Sequence, residues 1–375
     1  MTRPARTRQT RHAGDVHFTV TSAPEDAPAL ASYFDDYLTG PPGELDLPNY
    51  QLDIRTETTP SPAAGTHLTS GAATPIEPIP GVVLLQHTTP AGWRRYTLTH
   101  DAVENAPGAW TAAIQGRVID LSCRQPQTAP RYALRIIREV MMRSYENAGG
   151  VIFHAAGVDL GGDAVMICGT GGAGKTTTMT AILRRAGSNG ALLSNDRLTV
   201  HGTDRIVAVP LPVRAARGTI DAFPELHAAA TPVNLADLPP EFGTQIKAAF
   251  PARRYAAAFG ADLSPGARLA AVLVCSFTDD ARPAHARRLG REQARAALAQ
   301  ACFTPRDEFW RPWLLPRHHS DAVLAESAAH TCARIAATVP CIRVRFGVRN
   351  PLDHLDRLLG TALADLTPNM TGGQP

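Results

Sequence analysis

A single phosphate-binding loop pattern constrains this chain more than any other feature. Residues 169–176 match G-x-x-x-x-G-K-[ST] at every required position. The apolar run 164–168 precedes the pattern, and residues 176–186 after it have the length and the apolar spacing of a helix. This order predicts a buried strand, a glycine-rich loop and a helix, which is the context in which the pattern binds phosphate.

The residue types in the loop suit a nucleotide. A glycine-rich loop turns backbone N–H groups toward phosphate oxygens, and the helix start adds a partial positive charge. We expect Lys175 to reach the β and γ phosphates and the Thr176 hydroxyl to hold Mg²⁺. A glycine-rich turn that matches by chance is the alternative, but only two lysines stand against 35 arginines, and one occupies the required position. The predicted nucleotide-binding residues are Gly169, Thr170, Gly171, Gly172, Ala173, Gly174, Lys175, Thr176 and Thr177.

An acidic residue follows the next predicted strand. Asp196 comes after the short apolar run 191–194, and a carboxylate there can complete a Mg²⁺ shell or accept the proton of an attacking hydroxyl. The alternative is a turn aspartate that caps the next segment. His154, on the predicted strand 151–160, fits a core histidine as well as a functional one.

Composition shifts divide the chain into regions. The boundaries predicted from them are a disordered arm at 1–14, a β-rich N-terminal domain at 15–128 with a mobile Pro/Thr-rich loop at 57–80, a P-loop catalytic domain at 129–366 and a disordered tail at 367–375. The arm carries four arginines and no apolar periodicity. Residues 221–266, with Pro, Ala and short helical pieces, predict a lid or an insertion in the catalytic domain.

Overall composition excludes several classes of protein. A net charge of +3 and a pI near 8.6 are too mild to indicate nucleic-acid binding, and no apolar run is long enough to span a membrane. The basic start leads into no apolar signal segment, and six scattered cysteines predict buried free thiols. The sequence therefore predicts a cytoplasmic protein that binds neither nucleic acid nor membrane, and leaves a homo-oligomer open.

The run from His154 through the loop to Asn195-Asp196-Arg197 resembles the catalytic domain of the HPr kinase/phosphorylase family. In that family a histidine precedes the first loop glycine by fifteen residues, and here 169 − 154 = 15. An Asp-Asp pair, often followed by Arg, comes after the loop helix. The resemblance covers residues 130–220 well, and it is closest to HPr-kinase-like proteins of biosynthetic gene clusters, some of which phosphorylate peptides.

The resemblance implies a fold, a reaction and roles for individual residues. The implied fold is an α/β P-loop domain related to phosphoenolpyruvate carboxykinase, here behind a small β-rich N-terminal domain. The implied reaction is transfer of the ATP γ-phosphoryl group, with Mg²⁺, to a hydroxyl of a peptide, a protein or a small molecule. His154 would be the active-site histidine, Lys175 the phosphate-binding lysine and Thr176 the metal-binding hydroxyl. Asp196 would be the general base and a metal ligand.

This chain departs from the family at three positions. Asn195 replaces the first Asp of the pair, Thr177 replaces a glutamate, and residues 212–214 offer no later acidic metal ligand. These departures argue against the reverse, phosphorylase reaction. They also keep open a regulatory module that binds nucleotide and hydrolyses ATP slowly or not at all. A carboxykinase-type enzyme is the other alternative.

Overall fold

The chain passes between two structural units three times. A computed structural model describes residues 5–40, 43, 45–56, 73–102, 109–229 and 235–364. The first unit consists of residues 1–148 and 306–318, and the second consists of residues 149–305 and 319–375. The fold is mixed α/β with several sheets, and its N-terminal region is rich in β-strands, as predicted.

The first unit is built on one eight-stranded sheet. Its elements are β1 (Thr7–Ala13), β2 (Val16–Ser22), α1 (Ala27–Asp35), β3 (Asn49–Thr56), β4 (Thr74–Ile79), β5 (Val82–Thr88), β6 (Arg94–Asp101), β7 (Trp110–Gln115), β8 (Val118–Cys123) and α2 (Ala129–Asn147). The strand order is β1-β2-β3-β8-β7-β6-β5-β4. Strand β3 is parallel to both β2 and β8, and the other neighbours are antiparallel. Helix α2 packs against β1, β2, β3 and β8.

A later stretch of the chain completes this unit. Trp313 packs edge-on against Tyr96 of β6, whose hydroxyl donates to the Trp313 carbonyl oxygen at 2.7 Å. Glu139 of α2 is fully buried and accepts hydrogen bonds from Trp310 Nε1 at 2.7 Å and Trp313 N at 3.0 Å. Buried carboxylates need such partners. Residues 306–318 are therefore part of the first unit's interior.

Two predictions about mobile segments were wrong, and one domain boundary differs. Within the predicted arm 1–14, residues Thr7–Ala13 form the edge strand β1, and within the predicted loop 57–80, residues Thr74–Ile79 form the opposite edge strand β4. Residues 1–4, 57–72 and 367–375 lie outside the described residues. The sequence placed α2 in the catalytic domain, whereas its packing against the first sheet places it in the first unit.

The second unit contains the predicted loop. Its elements are β9 (Val151–Asp159), β10 (Asp163–Cys168), α3 (Lys175–Ala186), β11 (Ala191–Ser194), β12 (Arg197–His201), β13 (Arg205–Ala208), β14 (Val213–Ala215), α4 (Arg217–Ala222), α5 (Glu225–Ala229), β15 (Ala248–Phe250), α6 (Ala252–Ala257), β16 (Asp262–Leu263), β17 (Gly266–Thr278), β18 (His285–Arg288), α7 (Arg291–Ala301), α8 (Asp321–Thr338), β19 (Cys341–Gly347) and α9 (Leu352–Ala364). Among the described helices, none is long and apolar enough to cross a membrane.

Strand β10 lies in the middle of the second unit's main sheet. It pairs antiparallel with β9 on one side and parallel with β17 on the other, and β17 continues parallel to β19. Strand β9 also pairs with β11 and β12, so the turn between these two strands comes close to β9. Because β10 is buried along its length, its end is a fixed point from which the loop departs.

Helices pack against this sheet and hold its strands in place. Residues of β9, β10 and β17 share one apolar cluster with residues of α7 and α8, including Met166, Leu298 and Ile335. Side chains alternate along a strand, so Val165 and Ile167 point to the opposite face. Helix α3 packs against β9, β10 and β14, and against α9. The loop is therefore anchored to buried elements at both of its ends.

Candidate nucleotide and phosphoryl-transfer site

The loop predicted from the sequence runs from the end of β10 at Cys168 to the start of α3 at Lys175. Gly174 is the residue before α3 and has a φ of +91°, a conformation that L side chains rarely adopt. A Cβ there would lie 2.4 Å from the Phe277 ring, so both the backbone and the available space require glycine. The chain therefore forms the strand, loop and helix in the order that the pattern predicts.

Lys175 folds back over its own loop. Its Nζ donates to the carbonyl oxygen of Gly169 at 2.8 Å and to that of Thr170 at 3.1 Å, and the residue is 9% exposed. Burial lowers the pKa of Lys175, and the negative charge of Asp196 opposes that shift. Among the described residues, the hydrogen-bond acceptors of the ammonium group are two neutral carbonyl oxygens of the loop.

Thr176 connects the loop to the turn between β11 and β12. Its Oγ1 donates to Asn195 Oδ1 at 3.0 Å. Thr177 is different, because its Oγ1 lies 2.9 Å from Thr219 Oγ1 of α4. The predicted metal-binding hydroxyl therefore contacts a neutral amide oxygen, while Thr177 ties α3 to α4.

Asp196 and His154, to each of which the resemblance gives an active-site role, are in direct contact. His154 Nε2 donates to Asp196 Oδ1 at 3.1 Å, and Arg197 Nη1 donates to Asp196 Oδ2. The register between β9 and β12 sets His154 directly opposite Arg197. The His154 ring stacks on Phe303 with centroids 4.8 Å apart, and the Arg197 guanidinium lies 5.0 Å from the same ring. Each carboxylate oxygen of Asp196 thus accepts a hydrogen bond from a side chain that packs against the Phe303 ring.

The pKa of Asp196 lies well below its ordinary range. Burial would raise it, but the hydrogen bond from His154 and the positive charges of Arg197 and Lys175 outweigh that effect. The side chain remains 38% exposed, so it can still reach a bound molecule. Asp196 is therefore an accessible carboxylate that stays ionised at neutral pH.

Sequence reasoning missed three residues at this site. Phe303 lies just beyond α7 and carries the stacked His154 and Arg197. Arg214 lies on β14 and Lys247 directly precedes β15, and Lys247 interacts electrostatically with both Arg214 and Asp196. No local pattern marks Phe303 or Arg214. The scarcity of lysine was the one available signal for Lys247.

The described residues contain no group of three or more His, Cys, Asp and Glu side chains able to hold a metal ion. Thr176 Oγ1 and Asn195 Oδ1, which are in contact, and the carboxylate of the next residue, Asp196, are hard oxygen donors of the kind that Mg²⁺ prefers. Compared with known proteins, the sequence matches no family model and no curated protein.

Proposed function

We propose that the second unit is an ATP-dependent kinase domain with the HPr-kinase-like P-loop fold, and that it transfers the γ-phosphoryl group to a hydroxyl. The observation that carries the proposal is an ionised, accessible carboxylate, Asp196, beside a phosphate-binding loop whose Thr176 contacts the adjacent Asn195. A loop alone supports only nucleotide binding. A carboxylate beside it adds the group that an acceptor hydroxyl needs.

Lys175 and the loop amides would bind the phosphates. The two present partners of Lys175 Nζ are neutral carbonyl oxygens. Phosphate oxygens carry charge and form stronger bonds with the same ammonium group, so a nucleotide would replace these contacts at a gain in free energy. The start of α3 would add its partial positive charge on the same side.

Asp196 would receive the proton of the acceptor. The acceptor oxygen forms a bond to the γ-phosphorus while the bond from that phosphorus to the β–γ bridging oxygen breaks, and ADP leaves with the electron pair. The hydroxyl proton passes to the Asp196 carboxylate and from there to solvent. Because its low pKa makes Asp196 a weak base, its main contribution is to orient the hydroxyl as a hydrogen-bond acceptor. A loose transition state needs little more than that.

The residues present fit a magnesium ion that is bound largely through phosphates. Thr176 Oγ1 and Asn195 Oδ1, with Asp196 close by, would supply the protein's oxygen donors. When bound, Mg²⁺ would neutralise charge on the β and γ phosphates. Because Asn195 is neutral, the protein contributes one negative charge fewer to this ion than a pair of aspartates would.

The test compares nucleotide binding and phosphoryl transfer in three proteins: the wild type, Lys175→Ala and the control Arg295→Ala. The control also removes one positive charge, but from an exposed side chain of α7 that pairs with Glu292 at 2.9 Å. Calorimetry with Mg²⁺-ATP measures affinity, and [γ-³²P]ATP with a Ser/Thr/Tyr peptide library measures transfer.

We expect Lys175→Ala to lower transfer by about 100-fold or more, the usual effect of removing a charged contact in such a site, and Arg295→Ala to behave as wild type. Transfer by Lys175→Ala within twofold of wild type would refute the assignment of the loop. So would the lack of ATP binding by wild type at about 1 mM, near the upper end of ordinary substrate affinities.

A second candidate function is a nucleotide-binding regulatory module. The observation in its favour is Asn195, whose neutral amide occupies the position next to Thr176 where the family has a carboxylate. ADP release that increases with added peptide or small-molecule acceptor distinguishes the kinase. ADP release that is slow and indifferent to every acceptor would favour the module. The same assay also determines whether the acceptor is a peptide, a protein or a small molecule.

A further inference from the structure

Both lysines of this chain lie at one site. The sequence holds 35 arginines and two lysines, so arginine stands at nearly every position where positive charge alone is needed. Arg and Lys are not equivalent, because a lysine ammonium is a compact point charge that fits between phosphate oxygens. Lys175 has that role in the loop pattern. Lys247, 72 residues later (247 − 175 = 72), interacts electrostatically with Lys175.

A short ribbon positions Lys247 next to the start of α3. Strand β15, which begins directly after Lys247, pairs antiparallel with β14, and the register sets Ala248 opposite Ala215. Strand β14 packs against α3, and the Arg214 carbonyl oxygen lies 3.5 Å from Thr176 Oγ1. The ribbon is therefore attached to the residue that the loop pattern assigns to the metal.

The segment before Lys247 lies against the loop itself. The Gly243 Cα lies 3.4 Å from the point that a Cβ on Gly172 would occupy, so the two backbones are in close contact. Gly172 has a φ of +76°. Lys247 follows Gly243 by four residues, so this contact and the ribbon both hold its stretch of chain beside the loop.

Lys247 is a partly buried cation with another cation nearby. Among the described residues it forms no hydrogen bond or ion pair. Burial lowers the pKa of Lys247, the nearby Arg214 lowers it further, and the charge of Asp196 opposes both. A partly buried ammonium group beside a second cation is unfavourable until an anion lies between them. The arrangement suits a polyanion bound between Lys175 and Lys247.

We propose that Lys247 binds the phosphoryl group that is transferred, the γ-phosphate of the nucleotide. The γ-phosphate is the end of the nucleotide that faces the acceptor, and Lys247 interacts electrostatically with Asp196, the residue proposed to orient that acceptor. There it stabilises the negative charge on the equatorial oxygens during transfer. This inference rests on the proposed kinase function, and it adds a phosphate-binding residue that the loop pattern does not contain.

The scarcity of lysine permits a direct test on the unaltered protein. Labelling with [ε-¹³C]lysine gives two NMR signals, one for each lysine, and the loss of one signal in Lys247→Arg assigns them. Mg²⁺-ADP and the non-hydrolysable Mg²⁺-β,γ-imido-ATP are then added in turn. We expect the Lys175 signal to shift with both nucleotides and the Lys247 signal to shift only with the imido analogue.

The NMR outcomes separate the two proposals. If the Lys175 signal responds but the Lys247 signal stays unchanged, the role of Lys247 is overturned and the kinase proposal stands. The same holds if the Lys247 signal shifts equally with ADP and with the imido analogue. If neither signal responds, the kinase proposal falls, and this inference falls with it.

Affinities of variants give a second readout. Lys247→Ala should weaken binding of the imido analogue on the order of tenfold to a hundredfold, as for the loss of one hydrogen bond to a charged group, and leave ADP affinity within twofold. Lys247→Arg should restore part of the loss, and the surface control Arg295→Ala should show none. Equal losses for ADP and the analogue in Lys247→Ala would contradict a contact with the γ-phosphate.

Discussion

Replacing Gly174 with alanine tests whether the loop geometry is as rigid as the structure indicates. Gly174 has a φ of +91° just before α3, where an L residue costs about 1–2 kcal/mol. The new Cβ would lie 2.4 Å from Phe277, whose ring is itself packed 5.2 Å, between centroids, from that of Phe346. Forcing a methyl into such a packed place costs a further 1–3 kcal/mol or so. We therefore expect a total loss of about 2–5 kcal/mol in the free energy of unfolding.

The same loop offers a matched control. Gly171 has no heavy atom within 4 Å of its would-be Cβ and no positive φ, so Gly171→Ala should change the free energy by less than about 0.5 kcal/mol. Hydrogen exchange of peptides from β10 and α3 measures both variants in the second unit. In a Phe277→Ala background, Gly174→Ala should cost only the backbone contribution of about 1–2 kcal/mol. Equal effects of the two glycine variants would refute this reasoning.

Two further predictions concern carboxylates. The folded-state pKa of Asp196 lies below its ordinary value of about 3.9, so its stabilising effect is present above that pH and is lost as the pH falls through the folded-state pKa. The difference in melting temperature between wild type and Asp196→Asn should therefore become smaller below about pH 4. A difference in melting temperature that stays constant from pH 7 to pH 3 would contradict the low pKa of Asp196. Glu139 accepts from Trp310 Nε1 and Trp313 N through separate oxygens, whereas an amide has one acceptor oxygen. Glu139→Gln should lower the free energy of unfolding by about 1–3 kcal/mol, as followed by tryptophan fluorescence in urea, and an unchanged midpoint would show that one of these bonds contributes nothing.

The elements that could be predicted from the sequence are those with a strong local signal. The loop and α3 follow from an eight-residue pattern and its apolar flanks, and α2, α7, α8 and α9 follow from apolar spacing. The two wrong predictions are both edge strands. Strand β1 consists mostly of polar and charged residues and β4 contains two prolines, which are features that edge strands use to avoid further pairing. Such sequences resemble mobile segments because both lack apolar periodicity.

The residues of the candidate site also differ in whether a local sequence pattern could predict them. Lys175, Thr176 and Asp196 could be named because they belong to one local strand–loop–helix–strand run. Phe303 lies more than a hundred residues after His154 (303 − 154 = 149), and backbone contacts with β9, such as the pairing of Phe153 with Cys302, bring it near. Lys247 reaches the loop through the β14–β15 ribbon. Contacts of this kind depend on the tertiary fold, so no local pattern contains them.

The return of residues 306–318 to the first unit has a consequence for synthesis on the ribosome. Glu139 emerges 171 residues before Trp310, its hydrogen-bond donor, and most of the second unit is translated in between. Until residues 306–318 are synthesised, the Glu139 carboxylate has neither of its donors, Trp310 Nε1 and Trp313 N. Burial of the carboxylate without them would be strongly unfavourable. The nascent N-terminal sheet must therefore stay open or keep Glu139 hydrated while the loop before α3 is already being made. In a fragment that ends at residue 148, Glu139 would never gain these two hydrogen-bond donors. Expression of the N-terminal sheet by itself should therefore give an aggregation-prone product.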